Sequence, residues 1–259
     1  MAKAKEEAKT EAQNEYDFMN EFSEDVKGYD GLTMDVMAIP FIRVIQALSP
    51  QLKKNKPEFI AGAEVGDICN SVSGEVYDQP LKVVVGKFER LFIEWKPNRG
   101  GYVAAHNPED IENNPKYTVN DKYQLVDPGT MNEFMDTYMY YVLFPDHMED
   151  GICIISMSST QLREARKLNR NLMTTYIPGT TKKALPHFMV WTIESMEMSN
   201  DKGDWATPVF KFDSFVTQDL LGSVVEERKA LPDKKVDFTM LDESAGKTDQ
   251  AQPVGDVKY

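Results

Sequence analysis

Cations and aromatic rings alternate through VVVGKFERLFIEWKPNRGGY, residues 83–102, where Lys87, Arg90, Lys96 and Arg99 are interleaved with Phe88, Phe92, Trp95 and Tyr102. Single-stranded nucleic acid is held by this mixture of residue types, because cations neutralise phosphates while rings stack on bases with little regard to sequence. Three further segments repeat the composition. SPQLKKNKPEF supplies Lys53, Lys54, Lys56 and Phe59; STQLREARKLNR supplies Arg163, Arg166, Lys167 and Arg170; TKKALPHFMVW supplies Lys182, Lys183, Phe188 and Trp191. Between Ser156 and Lys183, six Lys/Arg stand against the single acid Glu164, the strongest basic patch of the chain. Affinity from such clusters would come mainly from phosphate neutralisation and fall steeply with salt, each stacked base adding about 1–3 kcal/mol.

The same patterns have plainer readings. Alternation over 88–96 also describes a half-buried strand, with Phe88, Arg90, Phe92, Glu94 and Lys96 on one face and Glu89, Leu91, Ile93 and Trp95 on the other. A charge run on a helix is usually a solvated face. An enzymatic alternative is a metal-dependent nuclease, in which Asp78 and Glu94 would hold a divalent cation and Lys96 would assist the attacking water. Other chemistries find no foothold. IPGTTKKALP lacks the spacing of a phosphate-binding P-loop, and no nucleophile elbow is present. Cys69 and Cys153 stand alone, and His106, His147 and His187 are scattered, so no zinc site, disulfide or catalytic histidine is indicated. A binding protein without cofactor or metal is expected.

The chain has 259 residues, 41% of them hydrophobic, enough for a sizeable core. Its formal charge of -13 is carried mainly by its ends. Residues 1–39 hold 10 acids against 4 Lys/Arg and residues 213–259 hold 10 against 6, which leaves -3 for residues 40–212. Acidity of the whole therefore does not exclude a nucleic-acid partner, since a local basic groove decides binding. With neither a run of about 18 apolar residues nor an apolar N-terminal segment, no membrane association or secretion is expected and the protein is read as soluble and cytoplasmic.

These residues must be positioned by a strand-rich body. Residues 1–34 read as a mobile acidic lead-in and residues 236–259 as a disordered tail, leaving a single domain over 35–235. Within it, MAIPFIRVIQALSPQL suits a buried strand or short helix, SVSGEVY a tight hairpin and LKVVVGKF a core strand. FMDTYMYYVLFP and GICIISMSS read as antiparallel partners, and two more strands flank NDKGDW. The clearest helix is SSTQLREARKLNRNLMTTYI, with Ser158 and Gln161 spaced as a capping box and Leu162, Ala165, Leu168 and Leu172 at helical intervals. DLLGSVVEERKAL predicts a second, short helix. Seven to nine strands against one firm helix predict a β-rich α+β domain, a barrel or sandwich with an appended helix.

The order IPFIRVIQALSPQLKKNKPEFIAGAEVGDICNSVSGEVYD, then FIEWKPNRGGYVAAHNPED, then MSSTQLREARKLN resembles a family of tailed-phage single-stranded DNA-binding proteins of replication and recombination. The likeness spans about residues 38–215. It implies an OB-like barrel core, cooperative coating of single strands in the infected bacterial cytoplasm, the possibility of a homo-oligomer, and an acidic tail that recruits phage replication proteins. The end PVGDVKY, with one acid and one Lys, departs from such a tip.

Overall fold

The computed structural model describes residues 38–231 apart from 122, 202 and 230. The expected acidic lead-in and tail lie outside the described residues. A compact unit begins at Ile39, and its framework is one eleven-stranded sheet. The strands are β1 (Phe41–Val44), β2 (Ile68–Asn70), β3 (Val76–Tyr77), β4 (Leu81–Trp95), β5 (Tyr102–His106), β6 (Thr118–Val119), β7 (Leu125–Val126), β8 (Glu133–Leu143), β9 (Cys153–Ser158), β10 (Met189–Asn200) and β11 (Gly203–Phe215). Among the described residues three helices accompany them: α1 (Pro108–Ile111), α2 (Leu162–Thr174) and α3 (Gln218–Lys229). The strand-rich α+β composition expected from the sequence is present.

Along the sheet the order is β11-β10-β4-β8-β9-β1-β2-β3, with β5 on the far part of β4 and the small β6–β7 pair on β8. All pairings are antiparallel except β1 with β9, where Phe41 faces Ile154 and Ile42 faces Ile155. The segments 81–87 and 88–95 form one continuous strand. Between Val85 and Lys87 the register with β8 slips by one residue, so Gly86 is a bulge. Glycine suits that position because an added Cβ would stand 3.3 Å from Arg228 Cγ of α3, whose Nε donates to the Gly86 carbonyl at 2.8 Å.

The sheet curls, and two glutamine side chains fasten the curl. Gln46, just past β1, donates through Nε2 to the Ala206 carbonyl at 2.8 Å and accepts from the Ala206 N–H at 3.0 Å, imitating a strand partner for β11. Gln79 accepts from the Ser195 N–H of β10 at 2.6 Å and donates to the Gly66 carbonyl at 3.0 Å. The concave face is lined by Leu81, Val83, Val85, Tyr140, Val142, Ile155, Met157, Trp191 and Ile193, and α2 fills it with Ala165, Leu168 and Leu172. Each of these helix residues lies three or four positions from the next, which gives a single apolar stripe. Tyr140 completes the dock by donating its hydroxyl to Asn169 Oδ1 (2.9 Å) and the Ala165 carbonyl (3.1 Å).

The capping box expected at Ser158 and Gln161 does not form. Residues 159–161 are a 3-10 turn, Ser159 takes φ +53°, and neither Ser158 nor Gln161 makes a side-chain cap. The SVSGEVY hairpin does form: Asn70 Oδ1 accepts from the N–H groups of Val72 and Ser73, and Gly74 supplies a φ of +73°.

Candidate nucleic-acid interface

Register divides the aromatic and cationic residues of β4. Phe88 pairs with Tyr140 and Arg90 with Tyr138 on the concave face. The Phe88 ring meets Tyr138 edge-on at 5.5 Å and Tyr140 at 5.2 Å, and it remains 41% exposed. Phe92 and Trp95, each 7% exposed, belong to the core instead. Phe92 packs with Ile111 and Phe134, and Trp95 meets the half-buried Tyr102 edge-on at 6.2 Å. Their rings offer no face to a base.

The cations divide in the same way. Arg90 is held through two hydrogen bonds to Asp136 (2.8 and 3.0 Å) and an ion pair with Glu112 at 2.7 Å. The Asp136 hydrogen bond is the main reason its pKa is pushed up. Lys87 pairs with Glu89 at 2.9 Å and lies over the Tyr141 ring. Both cations are thus spoken for within the sheet. Lys54, Lys56 and Lys96 are exposed and Lys53 is half-buried.

Helix α2 carries Arg163, Arg166, Lys167 and Arg170 on its exposed side, Lys167 bridging to Glu164 at 2.7 Å. The helix leads into a hairpin closed by Ala184 N–H to Thr175 carbonyl and Ile177 N–H to Lys182 carbonyl, both 2.9 Å. That hairpin exposes Tyr176, Lys182 and Lys183. Phe188 and Trp191, by contrast, join the core. Phe88 meets the Tyr140 ring, and Tyr140 in turn bonds Asn169 of α2, a residue that shares its flank of the helix with Arg166 and Met173, spaced three and four apart.

A cleft of about 370 Å³ takes Arg99 into its lining, along with residues that precede two other basic segments in the chain. Its walls are Phe41–Gln46 of β1 and the following turn, Ser49–Gln51 just before the Lys53–Lys56 loop, Arg99 just after Lys96, Ser158–Gln161 just before Arg163, and Trp205, Ala206 and Pro208 of β11. Among the described residues, Arg43 and Arg99 are its charged residues and no carboxylate lines it. Sequence reading missed Arg43, Tyr138, Tyr176, Trp205 and the 156–160 hydroxyls. The Ser158-Ser159-Thr160 run, which was read only as a helix start, was the available signal for the last.

The nuclease layout is not assembled: Asp78 precedes β4 while Glu94 and Lys96 stand at its far end. Glu94 is engaged by His106 Nε2 (2.7 Å) and by the Asn132 amide (2.6 Å). Among the described residues, Glu75, His147 and Asp150 have metal-ligand types, with one ligand atom of each within 4.8 Å of the others. Asp150 there already accepts from the Tyr77 hydroxyl at 2.7 Å. Burial raises the thiols of Cys69 to about 11 and Cys153 to about 12, so both stay protonated and unreactive.

The fold and site define a β-rich protein with a curled sheet, a helix plug and a basic, ring-bearing surface. The sequence model of the Pam3 phage gp34-like protein family matches residues 7–234. The chain belongs to that family of bacteriophage proteins. No curated protein and no solved structure matched it.

Proposed function

We propose that this protein binds and coats single-stranded DNA without strong sequence preference during phage DNA replication or recombination, on an OB-like barrel scaffold and in the cytoplasm of the infected host. The observation that carries this reading is the exposed Phe88 ring, linked through Tyr140 to Asn169 of α2, together with the exposed cations Arg163, Arg166, Lys167 and Arg170 of that helix and with Lys182, Lys183 and Tyr176 of the hairpin after it. Cations along a ridge track a phosphate backbone, and a ring beside them stacks a base. Phage replication proteins and further copies of the chain are the natural partners of such a coat. Fluorescence anisotropy of a labelled (dT)30, with duplex as competitor, tests it: tight, salt-sensitive binding that duplex leaves intact is the expected result.

A second reading, a structural or host-interaction protein with no nucleic-acid role, is favoured by the engagement of Lys87 and Arg90 and the burial of Phe92 and Trp95. Flat anisotropy up to tens of micromolar at low salt would select it.

A further inference from the structure

Arg99 is the unusual residue of the cleft. It follows Trp95 by one short turn, takes φ +53°, and buries its Nε without a hydrogen-bond partner. Among the described residues no carboxylate forms an ion pair with it; Glu133 acts only at longer range, and burial lowers its pKa. A guanidinium taken out of water keeps its charge and its fork of donors, so the arrangement is costly until an anion completes it. Ser159, also in the lining, holds a positive φ too, +53°. Two non-glycine residues in that region on one cleft are strain of the sort that binding sites retain.

The remaining lining has a matching chemistry. Ser49, Ser156, Ser158, Ser159 and Thr160 contribute hydroxyls, Gln161 an amide, and Arg43 the second guanidinium. The turn that opens α2 has no side-chain cap on its N–H groups. The lining also includes Ile42, Ile155, Ile193 and the half-buried Trp205. A lining that combines donors and cations with a ring and aliphatic residues suits a ligand with an anionic group and a planar apolar one. The volume suits one such unit, within the ordinary range of small-ligand sites.

We propose that this cleft binds a single nucleotide through its terminal phosphate, with Arg99 and Arg43 on the phosphate and Trp205 against the base. The phosphate rests on the cleft itself; that the phosphate belongs to a nucleotide rests on the single-strand reading. The shared chemistry is a nucleoside phosphomonoester, supplied either by the 5′ end of a strand or by a free nucleotide.

Trp205 is half-buried and lines the cleft, whereas Trp95 and Trp191 are buried in the core, so a ligand-induced change in intrinsic fluorescence reports on the cleft. The full chain is titrated with inorganic phosphate, thymidine monophosphate and thymidine, and with (dT)4 carrying a 5′ phosphate or a 5′ hydroxyl. Saturable 1:1 binding of thymidine monophosphate is expected, with thymidine weaker by about tenfold or more, as loss of charge-assisted hydrogen bonds requires. Arg99→Gln should abolish the difference between the two ligands. Thr160→Val, which removes one hydroxyl at an exposed position, should weaken the monophosphate a few-fold and keeps the test alive if Arg99→Gln does not fold. A preference for phosphorylated (dT)4 over thymidine monophosphate assigns the strand end, and the reverse assigns a free nucleotide. No response to phosphate or the monophosphate at 10 mM, on the order of the weakest useful affinity, overturns the proposal. An equal response from folded Arg99→Gln also overturns it. If (dT)30 still binds in either case, only the cleft has failed; if the monophosphate binds and (dT)30 does not, the coating role has failed and the cleft stands.

Discussion

Phe88 and Trp95 sit seven positions apart on β4, and their surroundings give them different work. Phe88 keeps an exposed ring, so Phe88→Ala should weaken (dT)30 binding by about 1–3 kcal/mol, roughly five- to 150-fold, with little change in melting temperature. Trp95→Ala should do the converse, costing about 3–5 kcal/mol of stability in urea denaturation. Equal losses of binding in the two variants would contradict this division. At His187, burial and the Arg228 guanidinium, 3.5 Å from Nε2, lower the imidazole pKa. The unfolded chain therefore takes up the proton first. Stability is complete above the unfolded value of about 6.5 and is lost as the pH falls through the lowered folded one. Melting temperatures between about pH 7 and 5 should fall less steeply for His187→Gln than for the wild type. Composition could name the candidate side chains but not sort them. Phe88, Arg90 and Phe92 share one strand face, and what separates them is Asp136, Glu112, Ile111 and Phe134, supplied by segments distant in the chain.

At the scale of elements, the longest strands and both longer helices were legible because their apolar spacing is regular. The β8–β9 and β10–β11 pairs, the β2–β3 hairpin and α2 fall where residue patterns place them. A curled sheet agrees with the barrel-or-sandwich expectation, but the contacts that fasten the curl were not legible, because they are single polar contacts made across 160 and 116 positions. Gln46→Ala leaves the buried N–H and carbonyl of Ala206 unpaired. It should cost about 1–3 kcal/mol and free the Ala206 amide to exchange before its β10–β11 neighbours, as hydrogen exchange would show. Retained protection at Ala206 would contradict the fastening role. On α2, removing two exposed cations by Arg163→Gln with Arg170→Gln should flatten the dependence of log affinity on log salt by about 1.4, two single-strand phosphate contacts at roughly 0.7 each. An unchanged slope would take the ridge out of the backbone path.

For the whole molecule, the question is how a chain of charge -13 holds a polyanion. Its net negative charge lies mainly in residues 1–39 and 213–259, and among the described residues the cleft between β1, the 97–99 turn and the start of α2 is lined by two arginines and no carboxylate. Local field and distribution, rather than net charge, govern such binding. The sequence displayed this asymmetry, whereas the meeting of Arg43, Arg99 and the Ser158–Gln161 turn at one cleft required the fold. The most direct test is anisotropy of a labelled (dT)30 titrated with the full chain at about 50 and 200 mM salt, with duplex as competitor. Tight binding that weakens steeply with salt and withstands duplex is the result the single-strand account requires. Flat anisotropy at low salt up to tens of micromolar would contradict it, and would make the basic ridge a solvated surface of a phage protein with another partner.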